Sequence, residues 1–175
     1  MPISKFSGLL RFALLLAPAL LAAAGADARI PLHWLWHEQQ TDSVYTVSAE
    51  RREWLKREQG YVDMGPIAYV EERAADRARP LKCFYSSAPR TNTFCTISAL
   101  EQRLVRSMGY VDVGIEGFVH EQKFAGSVVL YRLNRSYGDG RDREHRFVTS
   151  GDELVRLRKL GWTYDGSKGF VSPVP

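Results

Sequence analysis

Three short stretches of apolar residues broken by single polar ones recur along the chain: Pro31-Leu32-His33-Trp34-Leu35-Trp36, Pro80-Leu81-Lys82-Cys83-Phe84-Tyr85 and Val129-Leu130-Tyr131-Arg132-Leu133-Asn134. Their starts lie 49 residues apart each time. Each reads as a strand. A second β-rich stretch follows every one of them and runs into a serine, as Val44 to Ser48, Phe94 to Ser98 and Arg146 to Ser150. A serine hydroxyl accepts from the free N–H groups of a first helical turn, so the three serines predict helix starts. Glu101 and Glu153, three residues on, are expected to complete capping boxes, and Arg51 leaves the first cap weaker. Gly60, Gly109 and Gly161 stand where a left-handed residue ends each helix. The helical stripes expected to be buried are Leu104, Val105 and Met108, then Leu154, Leu157 and Leu160; the first helix offers only Trp54 and Leu55. A last strand follows in each case, from Gly60-Tyr61 to Val70, Gly109-Tyr110 to Val119 and Gly161-Trp162 to Val171.

The pattern predicts an α+β fold of three diverged ββαβ repeats, about residues 30–72, 80–122 and 128–172, packed as one domain over 29–175. One unit has too little apolar surface to fold alone, so the three must dock on one another. Closure around a pseudo-threefold axis and an open stack both satisfy that need.

These motifs resemble a tandem-repeat family of secreted proteins whose units read P-L-Y-R-L-Y-N, then H-F-Y-T-T-S-A, then G-Y-x-x-x-G-x-x-G-Y-V. The resemblance spans residues 30 to 172. It implies a domain of unknown function, often attached to extracellular hydrolases and peptidases, with no activity of its own assigned. This chain departs from the pattern at His33-Trp34 and Lys82-Cys83, where tyrosine and arginine are usual, and only His145 matches the histidine.

The first 28 residues have the form of an export signal. Lys5 and Arg11 make a basic start, an apolar run extends from Phe12 to Ala24, and Ala26-Asp27-Ala28 is an A-x-A cleavage site. The expected location is therefore periplasmic or secreted, with no membrane span after cleavage. Of the 24 Lys and Arg and 20 Asp and Glu, that leader holds Lys5, Arg11 and Asp27, so the remainder carries a net charge of +3. The basic residues are interleaved with acids, as in Arg51-Arg52-Glu53, and form no stripe for nucleic acid.

Cys83 and Cys95, the only cysteines, flank Pro89 at equal distance on two strands of one hairpin, which places them opposite each other in an oxidising compartment. They are expected to form a disulfide. His33 and His37 sit too far apart on a strand to share an ion, and His120 and His145 stand alone, so the histidines read as surface residues and no metal site is expected. Asp63, Asp112 and the shifted Asp165 read as aspartates bonding their own turns. The third hairpin has a longer tip, Arg135 to Glu144, containing Gly138-Asp139-Gly140, which is a solvated loop or a recognition loop.

Trp34 and Trp36 face one side of a strand, either in the core or as a platform for sugar rings. Together with hairpin tips expected to be exposed at Asp42, Asn92, Glu144 and His145, they are the candidate ligand-binding residues. No His-Glu-x-x-His, nucleophile elbow or phosphate loop occurs, and no cofactor is called for. The expected function is an exported, non-catalytic module that binds a glycan or another cell-envelope polymer. The alternatives are a structural or protein-partner-binding protein and, behind both, an extracellular hydrolase.

Overall fold

The computed structural model describes residues 28–87, 91–137 and 142–175. Residues 1–27, which hold most of the expected export signal, and residues 88–90 and 138–141, where the expected hairpin turn at Pro89 and longer tip around Gly138-Asp139-Gly140 fall, lie outside the described residues. The fold is α+β, mostly antiparallel sheet with three helices. Its elements run β1 (Arg29–His37), β2 (Asp42–Thr46), α1 (Ala49–Glu58), β3 (Val62–Glu71), β4 (Ala78–Ser86), β5 (Asn92–Thr96), α2 (Ala99–Ser107), β6 (Val111–His120), β7 (Val128–Tyr137), β8 (Asp142–Val148), α3 (Gly151–Lys159) and β9 (Thr163–Val171).

Strand β1 pairs with both β2 and β3, β4 with β5 and β6, and β7 with β8 and β9, always antiparallel. Single bridges then join these groups, Glu71 to Phe118, His120 to Phe170 and Tyr69 to Ser172. The approach at these junctions is tight. A Cβ on Gly169 would stand 2.6 Å from the carbonyl oxygen of His120, and one on Gly117 would strike the Val70 side chain. Glycine is needed there for space as well as for its positive φ.

The central core joins residues from all nine strands, among them Leu32, Tyr45, Val70, Leu81, Cys95, Val119, Leu130, Phe147 and Val171. Cys83 and Cys95 belong to it. They pair in register with Cα atoms 4.0 Å apart and form the disulfide expected of them.

Three satellite clusters hold the helices, each through one buried side chain: Leu55, Val105 or Leu157. The wider stripes expected to be buried are not. Leu104, Met108 and Leu160 are 57%, 65% and 54% exposed, and of the two stripes only Val105 and Leu157 are buried, with Leu154 partly so.

The helix ends follow the local chemistry. Ser48, Ser98 and Ser150 accept from the N–H of Arg51, Glu101 and Glu153. Gly60, Gly109 and Gly161 have φ of 74°, 90° and 89°. The capping boxes do not close, however. The Ser98 N–H is already taken by Thr96 Oγ1 at 3.0 Å, which frees the Glu101 carboxylate for Arg132 and Lys168. Glu153 turns instead to Arg156.

Candidate functional site

The second strands β2, β5 and β8 pack against one another, and side chains near their starts meet. Asp42 Oδ1 accepts from the Thr93 N–H at 2.9 Å, and its Oδ2 accepts from the Tyr61 hydroxyl at 2.7 Å. Asn92 Oδ1 lies 3.1 Å from His145 Nδ1, and the Asn92 amide donates to the Tyr110 hydroxyl at 2.6 Å. Glu144 accepts from the Ser43 and Tyr137 hydroxyls at 2.9 Å each. Four residues expected as exposed tips are thus buried: Asp42 is 1% exposed, Asn92 6%, Glu144 3% and His145 9%. Each strand covers the polar group of a neighbour, so the convergence makes a closed hydrogen-bonded cluster and not an open pocket.

Burial sets the electrostatics of that cluster. Removal from water raises the Glu144 carboxyl to about 7, against the hydrogen bonds from Ser43 and Tyr137 that favour its charge. The Asp42 carboxyl is also raised by burial, opposed by Tyr61 and Thr93. Burial lowers His145 to about 3, with the positive Arg132 and Arg143 adding to the effect, so this ring is neutral at ordinary pH.

Three clefts open around this cluster, each under one helix. The first, about 500 Å³, lies between α2 and β7 and is lined by Asn92, Glu101, Tyr110, Arg132, His145 and Asp165 among others. Its charges are largely spent on one another. The buried Arg132 donates to Asp165 at 2.6 Å, to Glu101 at 2.8 Å and to the Cys95 carbonyl at 2.9 Å, and sits 4.1 Å from the Phe94 ring centroid. Burial acts to raise Glu101, but the Thr96 hydroxyl, Arg132 and Lys168 outweigh it and hold the carboxyl at about 2.

A second cleft, about 320 Å³, lies between α1 and the β4–β6 pair. The third, about 440 Å³, lies between α3 and β1. Here Trp34 and Trp36 line one opening with Trp162 and Tyr137, and Arg135, Arg146 and Arg156 bring three guanidinium groups to it. Both tryptophans are half-buried. The Trp34 indole donates to Ser43 Oγ at 3.1 Å, and the Arg146 guanidinium lies 4.2 Å from its ring centroid. Trp162 and Leu157 form the buried floor, with Met64 and Leu160 exposed at the rim.

A model of the family described as Domain of unknown function (DUF5648) matches residues 31–172. The chain belongs to that family. No curated protein and no solved structure matches it.

Of the six candidate residues, this DUF5648 chain brings Trp34, Trp36 and Glu144 to the α3–β1 cleft and Asn92 and His145 to the α2–β7 cleft, while Asp42 stays within the cluster. Sequence reasoning missed Trp162, Tyr137 and the three arginines. Trp162 carried a signal, since it directly follows the glycine that ends α3; the arginines are scattered over β7, β8 and α3 and carried none.

Two other expectations change. His145 is a buried residue, and Asp165 bonds Arg132 instead of its own turn, whereas Asp63 and Asp112 do accept from Gly65 and Gly114. His33 lies against Asp63 and Arg52, and His120 against Glu71. Among the described residues no three His, Cys, Asp or Glu gather as a metal site, and no helix is long and apolar enough to cross a membrane.

Proposed function

We propose that this is an exported, non-catalytic binding module that takes a glycan or another cell-envelope polymer in the α3–β1 cleft. The observation that carries the reading is the meeting of Trp34, Trp36, Trp162 and Tyr137 with Arg135, Arg146 and Arg156 around one opening. Aromatic faces suit the C–H faces of sugar rings, and guanidinium forks suit hydroxyls and carboxylates. The nearby acids offset only part of the charge: Glu153 pairs with Arg156 at 2.6 Å, and Glu144 is raised to about 7 by burial. A polymer with acidic groups fits this balance.

The same reading takes the fold as three copies of one ββαβ unit closed around a pseudo-threefold axis. Its support is the threefold recurrence of element order, the three serine caps, and the bridges that tie β3 to β6, β6 to β9 and the end of β9 to β3. Export through cleavage after Ala28 completes it. A role without catalysis is favoured because Asp42 stays within the buried cluster and Glu144, which reaches the α3–β1 cleft, has both carboxylate oxygens bonded, to Ser43 and Tyr137.

A second reading, a protein-partner module, is favoured by Leu100, Leu104 and Met108, which lie one turn apart along α2 and are all exposed. Retention on purified peptidoglycan and on a glycan array separates the two. Binding is expected that weakens with Trp36→Ala and with the exposed-site Arg135→Glu; retention on neither material overturns the ligand class. N-terminal sequencing of the protein from the extracytoplasmic fraction should start at Arg29, and an intact Met1 in the cytoplasm would refute export.

A further inference from the structure

We infer that the cleft between α1 and the β4–β6 pair is a second ligand site, one that takes one or two uncharged, sugar-type rings. It is separate from the tryptophan–arginine cleft and shares no lining residue with it. Three aromatic side chains, Trp54, Tyr61 and Tyr85, line its roughly 320 Å³, and Gln40 and Gln59 add two amides. Such a volume lies at the lower end of small-molecule pockets, about 300–1,000 Å³, which limits the occupant to one or two rings.

The wall and the rim differ in stiffness. Tyr61 is fixed by its hydrogen bond to Asp42 at 2.7 Å and packs with the buried Leu35, Val44 and Leu55. Trp54 at the rim is 48% exposed, one residue from the only side chain that α1 buries. Helix packing therefore does not account for a tryptophan at that position, and burying its face against a ligand would recover apolar area now in water.

Charge decides the class of ligand. The one ionic group in the lining, Arg51, donates to Glu116 at 2.6 Å, so its charge is met within the protein. What remains is aromatic faces for C–H groups, and amides that both donate and accept, the requirements of hydroxyl or acetamido substituents on a neutral ring. The α3–β1 cleft, with its three arginines, has the opposite preference. The two clefts lie under different helices, and a polymer with both neutral and acidic units could engage them together.

The test is calorimetric titration of the full chain, freed of its leader, with N-acetylglucosamine trisaccharide and, separately, galacturonic acid trisaccharide. The neutral trisaccharide should bind, Trp54→Ala or Gln59→Ala should weaken it about tenfold or more, and Trp36→Ala and Arg135→Glu should leave it unchanged. Unfolding curves on each variant show that it is folded, and Gln59→Ala serves if Trp54→Ala is not. No heat with the neutral trisaccharide, or binding indifferent to both α1-cleft variants, overturns the inference. Failure of the acidic trisaccharide alone would count against the α3–β1 reading and leave this one standing.

Discussion

Arg51 donates to Glu116 at 2.6 Å, and Glu101 accepts from Lys168 at 3.0 Å in the matching place with the signs exchanged. In both pairs the first residue is the third after an N-capping serine, and the second lies two after a left-handed glycine, Gly114 or Gly166. Each pair thus carries a charge order that the other would repel. Arg51→Glu should set a carboxylate against the nearly buried Glu116 and cost about 3 kcal/mol, as breaking a buried pair does. Adding Glu116→Lys should restore the charge attraction and part of the stability, but not the hydrogen bonds that Glu116 accepts from the Thr46 hydroxyl and the Val47 N–H. Urea unfolding of the single and double variants measures the coupling, and strict additivity would show that the pair does not interact.

Glu144 predicts a pH dependence. Its folded pKa, raised to about 7, lies above the ordinary value of 4.5, so the folded chain holds this proton more tightly than the unfolded one. The contribution is full below pH 4.5 and is lost as pH rises through 7. Glu144→Gln should therefore gain on the parent by an order of 2 kcal/mol between pH 5 and pH 8. His145 works in the other direction: lowered to about 3 from 6.5, it contributes fully above pH 6.5 and loses this as pH falls toward 3. Unfolding midpoints across pH 4 to 8 check both signs.

Reduction supplies a third expectation. The Cys83–Cys95 bond closes a 12-residue separation inside the central core. Loop-closure entropy puts its contribution at about 3 kcal/mol. Thermal unfolding with and without a reductant should show the loss, and Cys83→Ala with Cys95→Ala should reproduce it without reductant.

Two glycines of β9 give a controlled comparison. Gly166 and Gly169 both have positive φ, 93° and 113°, so alanine strains the backbone at either. Only at Gly169 does the new methyl meet a main-chain oxygen, that of His120, at 2.6 Å. Gly169→Ala should cost about 2 kcal/mol more than Gly166→Ala in the same unfolding assay. Equal losses would mean that the junction yields.

Features set by neighbouring residues were legible in the sequence. Serine caps, left-handed glycines and the cysteine pair each depend on residues within about a dozen positions of one another, and all three are present. What escaped depends on distant partners. Asp42, Asn92, Glu144 and His145 look like solvated tips because their hydrogen-bond partners Thr93, His145, Ser43 and Asn92 lie 51 to 101 residues away. Leu104 and Met108 have helical spacing for burial, yet only Val105 reaches the sheet. Glu101 looked like a cap, and a threonine two residues before Ser98 released it to bind Arg132. The arginines of the α3–β1 cleft could not be grouped without knowing that α3 faces β1.

Strand β3 is flanked at Tyr69 and Val70 by Pro31 and Ile30 on one edge and by Ser172 on the other. Two strand spacings separate those flanking segments, about 10 Å, a gap that roughly four linker residues span. The polypeptide therefore arrives and departs side by side. Joining these two points and cutting instead within the exposed turn at Glu121 and Gln122 should yield a permuted protein with an unchanged interior, and a cassette of this shape can sit inside a host loop without prising that loop apart.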